Sequence, residues 1–386
     1  MEARKIMFSA GEASGDRLGA GLAKALRRRL PDVELVGMGG EGMAAAGVRL
    51  VQDSSKVAVV GLLEVARRLP EIRKAMKRLE AVLRSEKPDL LVPIDFPDFN
   101  LRLAARAGRA GVPVVYFVSP QIWAWRRGRV RKIRRLVRRM LVLFPFETAF
   151  YEEGGVPVTF VGHPVMERTE ATLSREELRA AAGLEQAGEV VALLPGSRRD
   201  EVRRLLPAML DAAMLVRKAR AGTQALVLRA PGLPDGMLER MVSEHGDADV
   251  RIHAGDFPEI LTACDAGVVA SGTASLETAA MGLPMVVVYR MNPISFLAGR
   301  LLIKVKHIAL PNLIAGRKVV PELLQRDCNA EAIAREILGY LEHPERTAAV
   351  RRDLAGVCER LGGAGIFDRA AEAVLREIGA GEPQKP

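Results

Sequence analysis

The chain has 386 residues, 49% of them hydrophobic, and a formal charge of +10, enough apolar material for more than one core. Its three cysteines, Cys264, Cys328 and Cys358, are far apart and form no CxxC pair, which argues against a disulfide framework and for a reducing compartment. Aromatics make up only 4% of the residues while Ala, Leu, Val and Gly dominate, favouring helices packed on parallel strands over a β-sandwich.

In chain order, the first strand is expected at Lys5–Ser9. The opening MEARKIMFSAGEASGD has too short an apolar run for a secretory signal and passes at once into a Gly-rich turn. Further strands are expected at Glu34–Gly37, Leu90–Ile94, Val112–Val118, Met140–Phe144 and Thr159–Val161, separated by amphipathic helices. Among these are Arg17–Leu30 and Arg67–Leu83, the latter with Leu69, Ile72, Met76, Leu79 and Leu83 in one core-forming stripe. After Gly162-His163-Pro164 comes a Glu-rich helix, Ser174–Ala182, opened by the capping-box pattern Ser174-x-x-Glu177. A second series of strands follows at Val190–Leu194, Ala225–Leu228, Val250–His253, Ala266–Val269 and Pro284–Tyr289, and then helix from about Ala330 to Gly379. The pattern is α/β, with two Rossmann-like domains of parallel sheet at 1–165 and 166–345. The helical tail, 346–386, is expected to pack back on the first domain or on a partner subunit, leaving monomer and homodimer both open.

Much of the positive charge lies in Arg126–Arg139, RRGRVRKIRRLVRR, where Val130, Ile133, Val137 and Met140 recur at helical spacing. This reads as an amphipathic helix whose basic face is either simply solvated or turned to lipid headgroups; the lack of interleaved aromatics argues against single-stranded nucleic acid. No apolar stretch reaches the roughly 18 residues of a spanning helix, so membrane contact would be peripheral. The apolar corner Lys56–Val65 is a candidate to dip into a bilayer and equally a candidate for a buried strand–helix corner. His163, His245, His253, His307 and His343 show no metal-ligand spacing, and no protein-bound metal or other cofactor is expected.

In open α/β sheets ligands bind beyond the carboxyl ends of the strands, so the residues just after each strand carry the information. The first turn, Ser9 to Asp16, leads into a helix but is not GxGxxG, so the dinucleotide fingerprint is absent. A carboxylate inside it, Glu12, suits sugar hydroxyls better than phosphate, with Ser14 and Asp16 as further contacts or as the helix cap. Asp95 and Asp98 flank Pro97 after an apolar strand; a carboxylate there can take a proton from an attacking hydroxyl, and Asp98 is assigned the helix-cap role. Gln121 follows the next strand as a candidate substrate contact.

In the second half, Pro195-Gly196-Ser197-Arg198 joins a strand end to a helix start and offers backbone donors plus a guanidinium to a diphosphate. A capped helix with a surface arginine would look the same. Ser271-Gly272-Thr273 ends another strand in a phosphate-friendly turn, and Glu277, one turn on, can accept both hydroxyls of a ribose. Two rims of this kind facing each other would form an interdomain cleft. Acyl-enzyme chemistry is disfavoured, since no GxSxG elbow is present.

SAGEASGD, IDFPDFN, VSPQIWAWRRGRVRKI, LFPFE, FVGHPV, LLPGSR, ASGTASLE and LPNLIAGR follow one another in an order that resembles the lipid-A-disaccharide synthases over nearly the whole chain. The resemblance implies the two-domain GT-B fold and metal-independent, inverting transfer from UDP-2,3-diacylglucosamine to 2,3-diacylglucosamine 1-phosphate. The products would be the β-1,6-linked lipid A disaccharide phosphate and UDP, made at the cytosolic face of the bacterial inner membrane. It further implies Asp95 as base, Arg198, Glu277 and Asn312 on UDP, and sugar contacts at Glu12, Ser14 and Asp16. A UDP-N-acetylglucosamine 2-epimerase would share the nucleotide half but leaves the basic helix and apolar corner unexplained. A non-catalytic membrane- or nucleic-acid-binding module would leave the phosphate turns idle.

Overall fold

Leu90–Ile94 is apolar and wholly buried along its length, the signature of a strand covered on both faces. It is β4 of a parallel sheet containing β1 (Lys5–Ala10), β2 (Glu34–Gly39), β3 (Arg49–Asp53), β5 (Val115–Phe117), β6 (Arg139–Val142) and β7 (Val158–Phe160), in the order β3-β2-β1-β4-β5-β6-β7. Alternate side chains feed two cores: Ile6, Phe8 and Ala10 point to one face and Met7 to the other. The computed structural model describes residues 4–57, 62–120, 122, 127–167, 173–246, 249–255, 257–291 and 307–379, apart from the side chains of 62–67, 127 and 257.

A second parallel sheet comprises β8 (Val190–Leu194), β9 (Gln224–Leu228), β10 (Val250–His253), β11 (Ala266–Ala270), β12 (Met285–Tyr289) and β13 (Glu322–Leu324), in the order β10-β9-β8-β11-β12-β13. Its core joins Val191 and Leu193 to Leu205, Met209 and Val216 of helix Arg199–Ala219 and to Ile333 and Ile337 of helix Ala330–Leu341. Both sheets therefore reverse their strand order beside their first strand, at β1/β4 and at β8/β11.

The chain divides into Met1–Pro164 with Gly362–Pro386, and Val165–Leu361. The tail expected to act as one piece at 346–386 is thus split. Helix Pro344–Arg360 stays with the second unit, where Arg317 pairs with Asp353 at 2.6 Å and Arg360 donates to the carbonyl of Ile314 at 3.1 Å. Helix Ile366–Glu377 belongs to the first unit: Ile366, Ala370 and Val374 share a core with Leu22 and Leu26 of helix Ala13–Arg29, and Arg138 and Arg139 both clamp Glu377 at 2.6 Å.

Other expectations are corrected by the fold. β3 and β13 went unread because both are short, polar-flanked edge strands without the buried apolar run that marks the interior ones. The basic run is not one helix: it is helical over Val130–Leu136, and Met140 lies in β6. Arg131, Lys132, Arg134 and Arg135 are exposed on that helix while Ile133 is buried. The stripe of helix Leu62–Ser85 buries Met76, Leu79 and Leu83, but Leu69 is exposed. In the apolar corner, residues 58–61 lie outside the described residues. The capping box at Ser174 is formed, Glu177 N donating to Ser174 Oγ at 3.2 Å and Ser174 N to Glu177 Oε2 at 2.8 Å.

Candidate active site

Chemistry-bearing residues of the first unit gather where the strand order reverses. Glu12 follows β1 as the cap residue of helix Ala13–Arg29, with no side-chain capping bond, and Asp95 follows the adjacent β4. The two turns touch: a Cβ on Gly11 would lie 2.3 Å from the Phe96 ring, so only glycine admits this approach. Asp95 and Phe96 both adopt left-handed backbone, φ 46° and 50°, which costs a non-glycine residue about 1–2 kcal/mol. Paired non-glycine residues in that region, at the carboxyl edge of a parallel sheet, make this turn a candidate site. Burial, and then the nearby charge of Glu12, push the Asp95 carboxyl above the usual range, partly opposed by the Phe96 amide.

The remaining first-unit candidates separate. Ser14 is exposed on the first turn of its helix, beside Glu12. Asp16 is drawn inward: the amides of Gly40, Gly42 and Met43 donate to its oxygens at 2.6, 2.9 and 3.1 Å, so its carboxylate caps the neighbouring helix Glu41–Ala45. That engagement takes up three of the carboxylate's roughly four acceptor positions, where a sugar contact or a cap of its own helix was expected. Asp98 is not a cap; Phe96 holds that position, and Asp98 sits exposed in the first turn of helix Pro97–Arg109, where Arg129 pairs with it at 2.7 Å. Gln121 lies outside the described residues.

In the second unit, the β8 and β11 turns flank the reversal point. Arg198 is exposed at the cap of the long helix Arg199–Ala219. Gly196, φ 109°, allows Glu201 to fold over this turn: Ser197 N donates to Glu201 Oε2 at 3.3 Å, and a Cβ on Gly196 would meet that oxygen at 2.2 Å. Burial raises the Glu201 carboxyl, with the Ser197 amide and Arg198 opposing. Glu201 escaped the sequence reading, although its place four residues beyond Ser197 on a helix is a readable signal. Across the reversal point, Ser271 Oγ donates to Ile308 O at 3.2 Å, Gly272 has open space where a Cβ would stand, Thr273 precedes helix Ala274–Ala280 without a side-chain capping bond, and Glu277 lies one turn in.

Asn312 does not join them. It is fully buried, accepts from the amides of Val319 and Val320 at 2.7 and 2.9 Å, and donates to Val320 O and Glu322 Oε1 at 2.9 and 2.7 Å. All four of its hydrogen-bonding positions are used in joining helix Leu310–Ala315 to Val319, Val320 and Glu322, so the side chain has no polar group left for the expected contact with UDP. Among the described residues no group of three or more His, Cys, Asp or Glu could hold a metal ion, and no helix is long and apolar enough to cross a membrane.

Two Rossmann-like units, each with polar turns at its strand-order reversal, define a protein of the GT-B fold class. Solved structures agree in fold: a glycotransferase of kitacinnamycin covers 98% of this chain and all of its own at TM-score 0.66 and 17% identity. A Staphylococcus aureus MnaA–UDP co-structure covers 99% of both chains at TM-score 0.68 and 11% identity.

Sequence comparison is more specific. A family model described as lipid-A-disaccharide synthetase matches residues 6–375. Lipid-A-disaccharide synthases of Geobacter metallireducens and Myxococcus xanthus are 46% and 45% identical, covering 97% and 98% of this chain and 98% of each relative. The chain belongs to the lipid-A-disaccharide synthase family, glycosyltransferases of lipid A biosynthesis. Likeness to a putative UDP-N-acetylglucosamine 2-epimerase of Listeria monocytogenes, at 13% identity, is a likeness of fold alone.

Proposed function

We propose that the second unit binds the UDP of UDP-2,3-diacylglucosamine and that Asp95 serves the attacking hydroxyl of 2,3-diacylglucosamine 1-phosphate. The observation that carries this reading is the placing of Asp95 and Glu12 at one reversal point, and of Arg198 and Ser271–Glu277 at the other, in a chain of this family. In this reading the diphosphate lies on Arg198 and the amides of the two turns, and Glu277 accepts from the ribose hydroxyls. Ser271, Gly272 and Thr273 line the phosphate, and Glu201 must swing away from Ser197 as it arrives.

Asp95 accepts the proton of the acceptor's 6-hydroxyl while that oxygen bonds to the donor's anomeric carbon. The bond from that carbon to the diphosphate oxygen breaks, its electron pair leaves with UDP, and attack opposite the leaving group gives the inverted β-1,6 linkage. Arg198 and the turn amides carry the charge that UDP gains. Glu12 and Ser14 contact the sugar. Both substrates are acylated, so we place the reaction at the cytosolic face of the inner membrane, with the basic helix Val130–Leu136 toward anionic headgroups.

Purified protein given both acylated glucosamine substrates and a chelator should yield the disaccharide phosphate and UDP on thin-layer separation. Epimerised sugar from soluble UDP-N-acetylglucosamine, with no disaccharide, would replace this reading with the epimerase one.

A further inference from the structure

Asp95 is held by its backbone. Its amide donates to Phe117 O at 3.1 Å, and its carbonyl accepts from two buried side chains, Asn100 Nδ2 at 2.7 Å and Tyr116 Oη at 2.7 Å. Asn100 is fully buried, and the same Nδ2 also lies within reach of Ile94 O at 3.2 Å and Ser9 O at 3.0 Å. Because carbonyl oxygens can only accept, these three fix the amide end that faces them, and Asn100 Oδ1 accepts from Ser9 Oγ at 2.7 Å on the other side. One side chain thus gathers three carbonyls from the ends of β1 and β4, at the point where two residues turn left-handed. An ordinary helix start requires none of this, because Phe96, not Asn100, occupies the cap position.

We propose that Asn100, with Tyr116, is a positioning residue: by fixing the Asp95 peptide it holds the strained turn and sets the direction in which the carboxylate leaves the sheet. The proposal rests on the reading of Asp95 as base. With the Asp95 amide and carbonyl both tied, the Cα–Cβ bond has one direction, and a displacement of about 1 Å at the reacting atoms is worth roughly a hundredfold in rate. Sequence position would not separate Asn100 from a core asparagine; the three carbonyls around one amide do.

The test pairs Asn100→Asp, which keeps the shape and the bond from Ser9 but loses the amide donor, with Tyr116→Phe, which removes one oxygen. Asp95→Ala and the double variant Asp95→Ala/Tyr116→Phe run beside them, with kcat, KM, the pH profile of kcat, UDP affinity by calorimetry and thermal midpoint as readouts. Asn100→Asp should lower kcat by roughly 30-fold or more and Tyr116→Phe by roughly threefold to tenfold, with UDP affinity within about twofold and the acid limb of kcat displaced. The double variant should be no slower than Asp95→Ala alone, because Tyr116 acts through Asp95. If Asn100→Asp fails to fold, Tyr116→Phe decides.

Parent-like kcat in Tyr116→Phe, or additive losses in the double variant, would overturn the positioning role while leaving Asp95 as base. Loss of kcat in step with UDP affinity and thermal midpoint would overturn it too, by showing general damage. Near-parent turnover of Asp95→Ala would remove the base reading and this inference with it.

Discussion

Glu12 stands beside Asp95 and raises its pKa, second in effect to burial, so the two carboxylates have separable roles. A base works in its deprotonated form, and a raised pKa moves the acid limb of kcat upward in pH. Removing the Glu12 charge with Glu12→Gln should lower the Asp95 pKa and shift that limb to lower pH; an unmoved limb in a pH–rate series would break the pairing. Arg198 is the matching test in the second unit. A charge-assisted contact to diphosphate is worth about 1.5–3 kcal/mol, so Arg198→Ala should weaken UDP binding by roughly 10- to 100-fold by calorimetry. Arg203→Ala, exposed on the same helix, should leave affinity unchanged and so controls for the loss of a surface cation.

At the scale of elements, the β1–β4 turn pair and the β8–β11 turn pair repeat one device, in which reversal of strand order opens a crevice at the carboxyl ends. The helix Val130–Leu136 is a different device. Ile133 anchors it while Arg131, Lys132, Arg134 and Arg135 stay exposed. A basic residue near an anionic bilayer contributes about 1 kcal/mol, so the triple variant Arg131→Glu, Arg134→Glu, Arg135→Glu should cut binding to phosphatidylserine-containing vesicles by roughly a hundredfold or more. Binding should also fall as salt rises; sedimentation that ignores both changes would confine the helix to a solvated surface.

At the scale of the molecule, His163 at the end of β7 links stability to pH. It is buried with its ring tilted at 31° against Phe144, centroids 5.2 Å apart, and burial depresses its pKa to about 4. A depressed histidine stays neutral in the folded state while the unfolded chain takes up a proton below pH about 6.5, so stability falls as pH drops from there to about 4 and levels off below. The interval corresponds to about 3 kcal/mol. Urea melts across that range should show this loss, and His163→Gln should flatten it; equal slopes in the two proteins would contradict the assignment. The last helix adds a molecule-wide constraint, since residues beyond Gly362 complete the core of the first unit.

What the sequence determined by itself was the class, the interior strands and the identity of the turns, because apolar runs such as Leu90–Ile94 and glycine-rich strand ends are local signals. Tertiary structure decided the rest. Asp16 and Asn312 stand in motifs beside surface residues, but the fold turns both side chains inward, Asp16 onto the amides of Gly40 and Gly42 and Asn312 onto those of Val319 and Val320. Asn100 gains its meaning from carbonyls brought to it by folding, that of Ser9 from 91 residues away. The split of the tail follows from which apolar face each helix finds, and a helical pattern fixes the face but not its partner.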